Sequence, residues 1–249
     1  MPAPRAHRHD VTVIGSGEAK GRALERPNLR FVRADLSEIG EVDRVVAELT
    51  GRHERVDGLA LFANRPRPRR QMTADGLEYT FALYYLSRYR LGERLSPLLD
   101  ASPDPVIVNV AGVGTTAGRI HWDDPQLTHG YGLVRAQLQA GRANDLLGVA
   151  HEGKARYVLY HPGFTRSGLD GHPNPLVRAA LKALARVAAR KVDDSAAPVV
   201  EWLQHPPTDK LTAADRGRPV EQSVHTLDPH DATRLATYTE QLLLRLPAR

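Results

Sequence analysis

The sequence predicts an α/β fold, a doubly wound parallel sheet with helices on both faces, and three observations carry that prediction. Short aliphatic runs bounded by turn residues recur along the chain, segments of helical spacing separate them, and the longer of these can cross back over a sheet. One compact domain over residues 1–249 is the default at this length, since nothing in the chain reads as a linker or a repeat.

The strands are expected at residues 11–14, 29–32, 59–62, 106–110 and 157–160, all short, aliphatic and suited to burial on both faces. Helical spacing covers residues 39–50, 77–99 and 132–150. A stretch rich in Gly, Pro and His, residues 164–175, precedes an apolar helix at 176–189, and together they resemble a loop and lid that close over a substrate. Two further helices follow at 195–203 and 231–246, with residues 216–219 near a last edge strand.

Composition narrows the chemistry. With 41% hydrophobic and 25% charged residues the chain is globular, and without cysteine it has no disulfide, thiolate metal site or thiol nucleophile. None of its 11 histidines falls in a metal-binding helical spacing, so no metal is expected. The net charge of +5 comes from arginines dispersed among acids, which reads as genomic composition and not as a nucleic-acid surface. The one dense run, Arg65, Arg67, Arg69 and Arg70 with prolines between, reads as a solvated loop. No run approaches the roughly 20 apolar residues of a membrane helix, and the first ten residues lack the apolar core of a signal peptide. A cytoplasmic protein without membrane partners is the expectation.

Several stretches resemble the short-chain dehydrogenase/reductase family, above all its retinol-dehydrogenase-like branch. They are Ala34-Asp35-Leu36-Ser37, Thr73-Ala74-Asp75-Gly76-Leu77-Glu78 leading into Thr80-Phe81-Ala82, Ile107-Val108-Asn109-Val110, Trp122-Asp123-Asp124 followed by Tyr131, and His161-Pro162-Gly163-Phe164-Thr165-Arg166. The resemblance implies a Rossmann-like fold, NAD(P)H, and a homodimer or homotetramer formed through helices at 84–99 and 132–147. It also implies a catalytic Tyr131 acting as general acid, and an Asp35 that contacts adenine.

The chain departs from that pattern at the sites of chemistry. Arg135 stands where the family has its catalytic Lys, Gly112 where it has Ser, Tyr84 where it has Asn, and Phe62-Ala63-Asn64-Arg65 where it has Asn-Ala-Gly. The family opens with a strand, a Gly-rich turn and a helix that seat the pyrophosphate; residues 5–10 resemble the tail of that helix, so the chain looks N-terminally truncated. Gly15-Ser16-Gly17 with Gly21 offers a rival phosphate turn in Gly-x-Gly-x-x-x-Gly spacing, as well as a plain strand-to-helix turn. A parallel sheet without its central strand is expected to close by moving strand 11–14 beside strand 59–62.

The reading that results is a non-redox enzyme, a cyclase, dehydratase or isomerase acting on a small, polyketide-like metabolite without a cofactor. Tyr131 and Arg135 are the catalytic pair, one turn apart on one helix face. Tyr84, Tyr85, Phe62, Asn64, His129, His161 and Phe164 line the substrate cleft, while Gly15, Gly17 and Asp35 are the weak cofactor candidates. Two alternatives stand beside it: a ketoreductase using NAD(P)H in an unusual site, and a non-catalytic partner protein.

Overall fold

A computed structural model describes residues 9–163, 192–221 and 225–246. Strand β1 (Val11–Gly15) runs parallel to β2 (Leu29–Arg33), with helix α1 (Glu18–Arg22) between them. Helix α2 (Ile39–Thr50) leads to a second sheet of β3 (Gly58–Leu61), β4 (Val106–Val110), β5 (Arg156–His161), β6 (Leu211–Asp215) and β7 (Arg218–Pro219). Its strands lie in sequence order, parallel except for β7, which returns antiparallel on β6.

Each element follows from its residues. Val42, Val45, Val46 and Leu49 recur at helical spacing and are buried, while Arg44 pairs with Glu41 on the wet face of α2. Val106, Ile107, Val108 and Asn109 are all buried in β4, as a central parallel strand requires. Helix α3 opens at Tyr79–Phe81, passes through a π-turn at Ala82–Leu86 and continues through Ser87–Arg94, with α4 (Ser96–Asp100) after it. Glu78 caps α3, accepting from the backbone N–H of Thr80 at 2.8 Å and of Phe81 at 2.7 Å. Helix α5 (Leu133–Val149) crosses from β4 to β5, and α6 (Val192–Gln204) and α7 (Pro229–Leu244) complete the described chain. The lid expected at 164–190, Phe164 included, lies outside the described residues.

The expected closure of the sheet does not occur. Among the described residues β1 pairs with β2 alone, and β3 is an edge strand of the other sheet. Helix packing outweighs strand closure here. Val42, Val45 and Val46 of α2 share one core with Leu61, Ile107 and Leu159, and Asp43 holds Arg90 of α3 through contacts of 2.8 and 3.1 Å. At the start of α2, Ile39 N–H donates to Asp75 at 2.8 Å and Glu38 accepts from Ala74 N–H. These contacts fix the β1–β2 pair on the far side of the break. Closure is forced only where backbone edges are buried, whereas Val11 is 43% exposed and most of β1 and β3 is only half-buried. The sheet also contains β6, an aliphatic run absent from the expected strands.

In a parallel ladder successive residues face opposite neighbours. Val11 N–H donates to Asn28 O, and Asp57 O accepts from Val106 N–H, so the amides of Thr12, Ile14, Gly58 and Ala60 face the break. Hydrogen exchange followed by NMR is expected to show these four amides exchanging far faster than those of Ile107 and Val108 in β4. Equal protection would mean that the break is closed in solution.

Candidate active site

The carboxyl ends of β3 and β4 meet over a buried cation. Arg88, 1% exposed, donates through one terminal nitrogen to Asn109 Oδ1 and, at 2.9 Å, to Val110 O, and through the other to Ala63 O at 3.0 Å. Its guanidinium lies 4.7 Å from the centre of the Tyr84 ring. Burial lowers its pKa to about 10, which leaves it charged at neutral pH. Asn109 in turn donates to Tyr157 Oη at 2.8 Å and Asn144 Oδ1 at 3.1 Å, and Asn144 donates to Tyr84 O at 2.7 Å. This network ties α3 and α5 to the strand ends.

The amino-terminal half of α5 forms the wall above that floor. Asn64 and Gln137 bond reciprocally, at 2.8 and 3.2 Å, joining the segment after β3 to α5. Further out, Arg135 Nε donates to His121 Nε2 at 3.0 Å, and its NH1 donates to Gly130 O at 2.9 Å. Gln139 pins the His121 loop by accepting from His121 N–H at 2.9 Å and donating to Pro125 O at 2.8 Å. Between loop and helix lies a cavity of about 500 Å³, shallow and widely open to solvent, lined by Gly118, Arg119, His121, Val134, Arg135 and Leu138. Gly118 sits at φ +95°, and a Cβ there would come within 2.7 Å of Leu138 O, so this wall depends on glycine.

The expected pair is not assembled. Tyr131 precedes α5, whose cap Gly132 is extended, so the one-turn spacing does not put Tyr131 and Arg135 on one helix face. The Tyr131 hydroxyl donates to Arg67 O at 2.9 Å, under a loop whose Arg67 guanidinium stacks 4.1 Å from the Tyr79 ring. Burial raises its pKa, away from the range of a neutral-pH proton donor. Arg135 faces the cavity beside His121 instead.

The other candidates divide between cleft and core. Tyr85 is fully buried and bonds Thr239 Oγ1 at 2.7 Å, so it belongs to the core and not to the cleft. Tyr84 packs with Ala111 and Ala140 beside the end of β4. Phe62, 54% exposed, and Asn64 stand at the break and the wall respectively. His129 is exposed beside Asp124. His161 lies 2.9 Å from Asp215, whose carboxyl, against the effect of burial, the Arg216 hydrogen bonds hold below its usual pKa.

The residues offered for a dinucleotide lie around the β1–β2 pair. Asp35 accepts from Ser37 N–H at 3.0 Å and Ser37 Oγ at 2.7 Å. Gly21 packs under Phe31, whose ring a Cβ would meet at 2.2 Å, and α1 after Gly15 and Gly17 is five residues long with Glu18 in its first turn. A short helix that starts with an acid does not draw a pyrophosphate. Asp228, His230 and Asp231 cluster at the start of α7, where Asp228 serves as the cap by accepting from Asp231 N–H at 2.8 Å.

Arg88, His121 and Asp145 were not among the expected site residues. The signal for Arg88 was a charge within the apolar spacing Tyr84, Leu91, Leu95. Asp145 is buried beside Arg142, with its pKa raised by desolvation to about 7. His121 carried no sequence signal.

No protein-family model matches the chain. It is 37% identical over 113 residues to an NmrA-like family domain-containing oxidoreductase, notO, of Aspergillus sp., covering 45% of this chain and 32% of that protein. It is 30% identical over 144 residues to human retinol dehydrogenase 13, covering 55% and 44% respectively. The chain thus spans under half the length of the curated relatives it matches. Among solved structures, an uncharacterised protein from Mycobacterium paratuberculosis superposes with a TM-score of 0.66 at 22% identity, over 96% of this chain and 86% of that one. An NADPH-bound carbonyl reductase from chicken fatty liver does so at 0.59 and 16% identity, over 84% and 86%.

Burial and the Arg135 and Arg119 charges all lower the pKa of His121 below 6.5, so its imidazole is neutral at pH 7. A lowered histidine pKa means that the folded state holds fewer protons than the unfolded, so this contact strengthens as pH rises and is lost on acidification. An NMR titration of the His121 ring is expected to give a midpoint below 6.5 that moves upward in Arg135→Gln. An unshifted midpoint in that variant would separate the two side chains.

Proposed function

As the chain belongs to the short-chain dehydrogenase/reductase family, on its retinol-dehydrogenase-like branch, we propose that it is an enzyme that binds a small carbonyl compound in the cavity at the start of α5. We propose further that it activates the carbonyl oxygen by hydrogen bonding and charge. One observation carries this reading: Arg135, at the position where the resemblance places a catalytic lysine, is locked onto His121 at the mouth of a cavity of about 500 Å³.

The chemistry follows from the donor set. With Nε2 accepting from Arg135, neutral His121 keeps its proton on Nδ1 and has that N–H to offer. A neutral imidazole beside a permanent cation can polarise a carbonyl and stabilise the oxyanion or enolate that forms. Arg135 cannot itself release a proton, so it orients and stabilises while His121 donates. Tyr131 closes the Arg67 loop in this arrangement and takes no part.

The family implies NAD(P)H, and the residues described do not fit it. The glycine turn after β1 leads into a five-residue helix with an acid in its first turn, and Gly112 provides no hydroxyl. Phosphate contacts, each worth about 1.5–3 kcal/mol when charge-assisted, would here fall to the backbone N–H groups of that short turn with the Glu18 carboxylate beside them. This favours a non-redox reaction: an isomerisation, dehydration or cyclisation.

The relatives favour a second reading, an NAD(P)H-dependent ketoreductase. Those compared are named as oxidoreductases or dehydrogenases, and one structural neighbour holds NADPH. Nothing in the comparisons speaks for a non-redox role. Calorimetry and thermal unfolding with millimolar NADPH separate the two. The non-redox reading predicts neither heat of binding nor a rise in melting temperature. Micromolar binding, worth about 8 kcal/mol, would overturn it in favour of the ketoreductase.

A further inference from the structure

Among the described residues, two cations of the cavity have no carboxylate paired with them. Many arginines of this surface sit against a carboxylate, as Arg44 does on Glu41 and Arg90 on Asp43. Among the described residues neither Arg119 nor Arg135 has such an ion pair. The acid that His121 feels is Asp124, which already accepts from Thr128 N–H at 2.9 Å, Thr128 Oγ1 at 2.8 Å and His129 N–H at 2.9 Å. Of the Arg135 donors, Nε is given to His121 and NH1 to backbone carbonyls, whereas NH2 has no described partner. The rest of the lining is apolar: Val134, 65% exposed, and Leu138 face the same space.

We propose that the substrate of this site carries a carboxylate, held by Arg119 and the unspent edge of the Arg135 guanidinium, with its hydrocarbon body against Val134 and Leu138. The inference rests on the reading of the cavity as the substrate site and adds the class of substrate, a small carboxylic acid with an apolar chain. Guanidinium and carboxylate match in shape and charge, and an open depression of this size seats a short chain with its charged end against the two arginines. The neutral state of His121 leaves the two arginines as the positive charges of the lining, so recognition does not depend on pH above the His121 midpoint.

Hexanoate and hexan-1-ol share a chain and differ in charge. Each is titrated into the full chain at pH 7.5, with the His121 ring and Val134 methyl signals as the readout. Hexanoate is expected to bind about tenfold or more tightly than hexan-1-ol, with an advantage that shrinks as salt is raised. Arg119→Gln, at an exposed position where folding is not at stake, is expected to bring hexanoate down to the level of the alcohol and leave the alcohol unchanged. Equal binding of acid and alcohol, or an undiminished preference in Arg119→Gln, would overturn the carboxylate assignment while leaving the cavity as the site. If neither compound moved His121 or Val134, the site itself would fall, and the assignment with it.

Discussion

A single buried guanidinium organises the working end of this molecule. Arg88 brings a full positive charge among strand ends, where desolvation is costly, and offsets that cost by donating to Asn109, Val110 and Ala63 and by lying against the Tyr84 ring. Three carbonyl-type oxygens at the ends of β3 and β4 are thereby satisfied from one side chain. The π-turn at Ala82–Leu86 widens one turn of α3 and re-phases the residues after it. Asn109 relays the same order to α5 through Asn144, so the wall that carries Gln137 and Arg135 is positioned from the floor upward.

The same architecture separates two halves that the family joins. On the carboxyl side of β4 the packing is dense and the polar network ties strand ends to helices. On the side of β1 and β2, the attachment is through α2 rather than through a strand ladder. Among the described residues, the polar network therefore stands on one side of the break and the β1–β2 pair on the other. In the proposed function the chemistry accordingly falls to α5 and the His121 loop.

Most element positions were legible because aliphatic runs and helical spacing report burial directly; residues 39–50 were anticipated to the residue, and β4 likewise. The break in the sheet was not legible, because the half-exposure of β1 and β3 and the grip of Asp43 on Arg90 are invisible in a sequence. The pairing of Tyr131 with Arg135 failed for a local reason. Gly132, extended at φ −151°, ends helical spacing before Tyr131, and spacing arguments hold only within one helix. His121 was illegible since its role comes from Arg135, 14 residues away across a loop.

Which side chain handles the reacting oxygen is the central question, and kinetics of two variants decide it most directly. With a carbonyl-containing acid found to turn over, His121→Ala is expected to lower kcat/KM by about 100-fold or more, and Tyr131→Phe to leave it within a few-fold of the parent after correction for any loss of folded protein. The reverse pattern, with Tyr131→Phe inactive and His121→Ala nearly normal, would contradict the assignment and return the chemistry to the tyrosine.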